Sequence, residues 1–129
     1  MDSRWKARIL VVEDDPSMVT LLTALLEFGG YHVRSAGSVE SALQAFAQLP
    51  ADLVLLDIRL PDATGYELAK NLRHQEHRWD LPILMLSGMD RPIDQLRGFA
   101  YGADAYLTKP CDPDELLSTV NFLLETKVV

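Results

Sequence analysis

The strongest constraint on this chain is an alternation that runs from end to end. Five short apolar runs, at residues 7–12, 31–35, 53–56, 82–86 and 105–107, are separated by segments whose apolar residues recur at helical spacing. Runs such as Leu53-Val54-Leu55-Leu56 have no polar alternation, so they read as strands buried on both faces. Asp15-Pro16 supplies a cap and a first-turn proline for a helix carrying Met18, Leu21, Leu22, Leu25 and Leu26, which Gly29-Gly30 stops. Ser38 caps a second helix, with Ala42, Leu43, Ala45, Phe46 and Leu49 on its apolar side. Thr64 and Glu67 form a capping box for a third, through about Asn71. A fourth, residues 92–101, is closed by Gly102. Asp112, Pro113 and Glu115 open a fifth, whose Leu116, Val120, Leu123 and Leu124 point inward. Strands alternating with helices predict an α/β fold, a doubly wound five-stranded parallel sheet covered by five helices.

At 129 residues the chain is expected to be one domain, residues 1–129, with its core at about 8–124. No apolar run is long enough to span a bilayer, and Met1-Asp2-Ser3-Arg4-Trp5-Lys6 lacks the apolar stretch of a signal peptide. The single cysteine, Cys111, cannot make an internal disulfide. A cytoplasmic location with no membrane contact is therefore expected. The net charge of −7 without any basic stripe argues against direct nucleic-acid binding. The chain end, Lys127-Val128-Val129, directly follows a helix and is compatible with either a lone domain or a following effector domain.

In open parallel sheets, ligands bind beyond the carboxyl ends of the strands, where the strand order switches. Those ends carry Glu13-Asp14-Asp15, Asp57, Ser87-Gly88 and Thr108-Lys109-Pro110. Two carboxylates about 4 Å apart repel by roughly 4 kcal/mol at an effective dielectric near 20. Such a cluster asks for a hard divalent cation, and Mg²⁺ (or Mn²⁺) with oxygen ligands fits. Metal, lysine and hydroxyl together suit a phosphoryl group, and the carboxylate among them can itself be the nucleophile.

Val11-Val12-Glu13-Asp14-Asp15-Pro16, Leu55-Leu56-Asp57-Ile58-Arg59-Leu60-Pro61-Asp62, Ser87-Gly88 and Tyr106-Leu107-Thr108-Lys109-Pro110, in this order, resemble the receiver domain of two-component response regulators. The resemblance covers residues 8–124 and implies a flavodoxin-like topology. It implies that Asp57 is the phosphoacceptor. Glu13 and Asp14, with Asp57 and the backbone carbonyl of Arg59, would hold Mg²⁺. Ser87 would turn to the phosphoryl oxygen, and Lys109 would pair with it. Lys109-Pro110 would be a cis peptide. Tyr106 would be the switch aromatic that swings inward. The donor would be a histidine kinase or a histidine phosphotransfer protein, and the fourth helix, fifth strand and fifth helix would face a downstream effector domain or protein. A phosphorylation-dependent dimer is compatible with the family. However, Glu115-Leu116-Leu117-Ser118-Thr119 lacks the arginine of one common dimer mode.

The chain departs from the family at several points. Pro61-Asp62-Ala63-Thr64-Gly65 is read as a change of cap with little effect on chemistry, Gly88 as leaving the phosphoryl site open, and Met89 as shielding it beside Arg59. Plainer readings apply to some residues. Asp15 is a helix cap, Cys111 an inert thiol, and His32, His74 and His77 are surface residues. Tyr106 suits simple packing as well as switching. Two other functions fit the topology. A Mg²⁺-dependent aspartyl-phosphate hydrolase would want an acid two residues after its nucleophile, where Arg59 stands. A flavin protein would want a glycine-rich phosphate loop where the acidic triplet stands.

Overall fold

The computed structural model describes residues 4–126; Met1, Asp2, Ser3 and the terminal Lys127-Val128-Val129 lie outside the described residues. The elements alternate as β1 (Arg8–Val12), α1 (Pro16–Phe28), β2 (His32–Ala36), α2 (Val39–Gln48), β3 (Leu53–Leu56), α3 (Gly65–His74), β4 (Ile83–Ser87), α4 (Pro92–Ala100), β5 (Ala105–Thr108) and α5 (Pro113–Glu125). All five strands are parallel, in the order β2-β1-β3-β4-β5. The order reverses between β1 and β3, so the crevice for a ligand opens there.

Side chains of a strand alternate between faces, and the two cores follow that alternation. Leu10, Val12, Val54, Leu56, Ile83 and Met85 pack with α2 and α3. Ile9, Val11, Leu53, Leu55, Leu84 and Leu86 pack with α1 and α5. Each of these side chains is almost wholly buried, worth about 1.5–3 kcal/mol against exposure. This two-sided burial is why the runs carry no polar alternation.

The caps follow the expected residues with some changes of detail. Asp15 caps α1 by accepting from the Ser17 N–H at 3.1 Å, and Gly30 at φ +96° ends the helix where a side chain would be strained. Thr64 caps α3 by accepting from the Glu67 N–H. Asp112 caps α5 through the Asp114 N–H rather than through Glu115. Leu21, expected on the inner face of α1, is exposed; Leu22 and Leu26 alone are fully buried there.

Helix α3 runs a turn further than its apolar pattern suggested, because Arg73 anchors its end. That guanidinium is buried. It donates to the carbonyls of Gly102, Arg78 and Leu81 and pairs with Asp104 at 2.9 Å. Asp104 in turn accepts from the Ile83 N–H, so one side chain ties α3 to the starts of β4 and β5. Arg73→Met keeps the stem but orphans these acceptors. It should cost about 3 kcal/mol, read as a drop in the urea midpoint.

Candidate functional site

The acidic residues are placed by the sheet itself. The Asp57 N–H donates to the Val12 carbonyl and the Glu13 N–H to the Ala36 carbonyl, both at 3.0 Å. The ladder thus extends one residue past β1 and β3 and sets Glu13, Asp14 and Asp57 side by side. One carboxylate oxygen from each lies within 4.8 Å of the other two. Glu13 is buried, Asp57 is partly buried and Asp14 is exposed.

Lys109 reaches into this group from the end of β5. Its ammonium donates to Glu13 Oε1 at 2.5 Å and to Asp57 Oδ2 at 3.1 Å. The second oxygen of Glu13 accepts from the Asp15 N–H at 3.2 Å, and Asp57 Oδ1 accepts from the Arg59 N–H at 3.3 Å. Burial opposes the charge on Lys109. Its hydrogen bonds to Glu13 and Asp57, and their charges, outweigh that, so it titrates above the ordinary lysine value. The Lys109-Pro110 peptide is cis, as the resemblance implied.

Three carboxylates and one ammonium leave two formal negative charges in the crevice. The donor set is all oxygen, with no histidine or cysteine in the cluster. That chemistry fits Mg²⁺ and not a softer metal. Adding MgCl₂ should raise the thermal midpoint, by about 2.7 kcal/mol of stability at a hundred times the dissociation constant. In Asp57→Asn the response should be much weaker, while the metal-free protein gains stability because one repelling carboxylate is gone.

Ser87 and Tyr106 meet on one peptide segment. Ser87 is fully buried at the end of β4, and its Oγ accepts from the Met89 N–H at 3.3 Å. The Tyr106 hydroxyl donates to the Met89 carbonyl at 2.5 Å. Met89 is therefore held by the hydroxyl on one side and the aromatic on the other, a contact that sequence spacing could not disclose. Tyr106 packs on Gly98 of α4, where a Cβ would come within 2.9 Å of its ring. Burial, then the charge of Tyr66, pushes the Tyr106 phenol above its ordinary value.

Two further residues stand out only in three dimensions. Gly65 starts α3 against the segment that carries Asp57: a Cβ there would lie 2.3 Å from the Asp57 carbonyl oxygen. Asp62 spans from the loop after β3 to the first turn of α2, accepting from the Val39 and Glu40 N–H groups at 2.9 and 3.0 Å. These backbone bonds hold its carboxyl below the usual range. The loop is thus more than a changed cap. Thr64 does cap α3, but Asp62 and Gly65 fix where the loop beside Asp57 sits.

The other residues singled out in the sequence are placed as follows. A Cβ on Gly88 would meet nothing within 4 Å, so this side of the crevice is open. Arg59 and Met89 line a cleft of about 760 Å³ with Leu60, Tyr66, Arg97 and Tyr101. Cys111 is half-buried, and burial raises its thiol above the ordinary value. His74 and His77 are exposed, as expected, and His74 lies edge-on to Trp79; His32, read as a surface residue, is instead half-buried beside Trp5 where β2 begins.

Comparison with known proteins gives a consistent picture. The family model described as "Response regulator receiver domain" matches residues 9–121. The chain is 40% identical over 117 residues to the DNA-binding dual master transcriptional regulator RpaA of Synechocystis, covering 91% of this chain and 48% of that protein. It is 43% identical over 117 residues to the alkaline phosphatase synthesis transcriptional regulatory protein PhoP of Bacillus subtilis, again covering 91% and 48%. The chain thus spans about half the length of these curated relatives. Among solved structures, chemotaxis response regulator CheY4 of Vibrio cholerae superposes with a TM-score of 0.85 at 32% identity, covering 91% of this chain and 98% of that one. The BeF₃-activated receiver domain of Klebsiella pneumoniae RstA superposes at 0.86 with 33% identity, covering 92% and 99%.

Proposed function

This chain belongs to the response regulator receiver domain family, and from that premise we propose that Asp57 is the residue on which it is phosphorylated. The protein is a phosphorylation-dependent signalling module. Receivers of this family bind Mg²⁺ at their acidic pocket and work with histidine kinases and effector domains. The whole chain is proposed to act as a single receiver unit. No helix of the described residues is long and apolar enough to cross a membrane.

The observation that carries the assignment is the pair of bonds from Lys109 to Glu13 and Asp57 at the mouth of the strand crossover. In the proposed reaction an Asp57 carboxylate oxygen attacks phosphorus. The bond from phosphorus to the donor's imidazole nitrogen breaks, its electron pair stays on that nitrogen, and the histidine, carrying a proton on its other ring nitrogen, leaves as neutral imidazole. Glu13, Asp14, Asp57 and the Arg59 carbonyl would hold Mg²⁺, which supplies charge neutralisation on the phosphoryl oxygens. Lys109, already paired with Asp57, adds the second positive group.

A phosphoryl dianion on Asp57 would draw the Ser87 hydroxyl away from the Met89 N–H. Because Tyr106 holds the Met89 carbonyl, the loop and the aromatic would move together. That links the crevice to α4, β5 and α5, where Ile93, Leu96, Phe99 and Phe122 stand exposed. An effector domain or protein is proposed to read that face. The chain is proposed to turn over no external substrate. Arg59, where an aspartyl-phosphate hydrolase wants an acid, leaves that alternative disfavoured.

Incubation with Mg²⁺ and acetyl phosphate tests the reading. A phosphate-sized mass gain, lost on adding EDTA before the donor, is expected. Its absence at millimolar donor overturns the assignment.

A further inference from the structure

The loop after Asp57 closes on itself and is hydrogen-bonded to a distant helix through one side chain. Arg59 and Thr64 face each other as an isolated antiparallel bridge, and the Gly65 N–H donates to the Ile58 carbonyl at 2.7 Å. Between them, Leu60 and Ala63 rest partly buried on the core under α2 and α3. Asp62 is exposed at the tip, yet both of its carboxylate oxygens are engaged. Oδ1 accepts from the Val39 N–H at 2.9 Å and Oδ2 from the Glu40 N–H at 3.0 Å.

Those donors are the first two N–H groups of α2, which no carbonyl within the helix can accept. The third, on Ser41, is held by the Ser38 hydroxyl at 3.0 Å. The helix therefore has two separate caps, its own Ser38 and the carboxylate of Asp62. A negative charge there also meets the positive end of the helix dipole.

The other side of this helix start is fixed to the acidic crevice. Ala36, the last residue of β2, accepts from the Glu13 N–H at 3.0 Å. A Cβ on Gly37 would stand 3.9 Å from the Glu13 carbonyl oxygen. Only Gly37 and Ser38 separate Ala36 from Val39. The start of α2 is thus a post, bound by Glu13 on one side and by Asp62 on the other.

We propose that Asp62 is a positioning residue for the divalent cation: by bonding to α2 it holds the segment that bears the Arg59 carbonyl in place relative to Glu13 and Asp14. The inference rests on the reading of those residues and Asp57 as the Mg²⁺ site. Asp62 is outside the cluster of Glu13, Asp14 and Asp57, so it acts through the loop. A backbone oxygen cannot be re-aimed by rotating a side chain, so its place depends on what anchors its segment. Such coupling is reciprocal: a clamp that favours the metal is itself favoured by the metal.

The test is a Mg²⁺ titration of the full chain, followed by the amide NMR shifts of residues 13, 14, 57 and 59. Physiological ionic strength screens exposed charges beyond about 8 Å. Asp62→Ala should raise the dissociation constant about tenfold, the lower end for groups that support a metal ligand. Asp62→Asn removes the same charge but keeps one acceptor oxygen, so its loss should be smaller. Phosphoryl uptake by Asp62→Ala should be slow at low Mg²⁺ and recover at saturating Mg²⁺. In the parent chain, saturating Mg²⁺ should slow hydrogen exchange at the Val39 and Glu40 amides, a readout that needs no variant to fold. Unchanged affinity in Asp62→Ala, equal losses in the two variants, uptake that stays low at saturating Mg²⁺, or exchange at Val39 and Glu40 that ignores Mg²⁺ overturns the proposal. A parent chain whose residues 13, 14, 57 and 59 do not respond to Mg²⁺ would overturn the metal site itself, and this inference with it.

Discussion

Asp57→Ala should take up no phosphoryl group from acetyl phosphate under conditions that modify the parent chain to completion. The substitution removes the proposed nucleophile itself, so the expected loss is total rather than graded. Lys109→Met gives the contrast. It keeps the nucleophile but removes the ammonium that donates to Asp57 Oδ2 and Glu13 Oε1. Removing one such preorganised charge typically costs a factor of about 10²–10³ in rate. Intact-mass kinetics should therefore show slow uptake in Lys109→Met and none in Asp57→Ala. Equal uptake in Asp57→Ala and the parent would place the acceptor elsewhere, with Asp14 the next carboxylate in the cluster.

Gly65→Ala should destabilise the protein and impair phosphorylation together. On helix propensity alone, alanine at the start of α3 would gain up to about 1 kcal/mol. The tertiary contacts run the other way. The added methyl would lie 2.3 Å from the Asp57 carbonyl oxygen, 2.6 Å from Leu56 Cδ1 and 3.0 Å from Ile58 Cα. Two of these three are backbone atoms, which cannot rotate aside. Overpacking of this kind costs about 1–3 kcal/mol, and here the rigid neighbours put the net loss near the upper end. Any relief must displace the backbone that carries Asp57. Gly88→Ala is the control: its Cβ would enter open space, and stability should change by less than about 0.5 kcal/mol. Urea midpoints for the two variants separate a local steric clash from a general effect of losing glycine.

Much of the fold was legible because burial on both faces writes itself into composition. Leu53-Val54-Leu55-Leu56 could not be a half-exposed strand, and Asp15-Pro16 could hardly be anything but a helix start. The site was legible for a related reason: parallel strands all end at one rim, so Glu13, Asp14, Asp57 and Lys109 had to share it once the strands were placed. What stayed hidden depended on distances between distant segments. Leu21 kept the helical period of its neighbours yet faces out, because the stripe that α1 buries is narrower than its run of leucines. Nothing in the sequence separates Arg73 from the other charged residues of the chain, and only the fold brings the Gly102, Arg78 and Leu81 carbonyls around it.

By itself, then, the sequence determined the order of elements, the parallel sheet and the set of groups at its rim, since period and strand ends are local properties of a chain. Only the tertiary structure decided how those groups are coupled. Lys109 bridges two carboxylates, Met89 is gripped by Ser87 and Tyr106, and Asp62 clamps the loop to α2. Apart from the local Ser87–Met89 contact, each of these depends on a separation of a few ångströms between residues far apart in the chain, and spacing along the backbone carries no information at that scale.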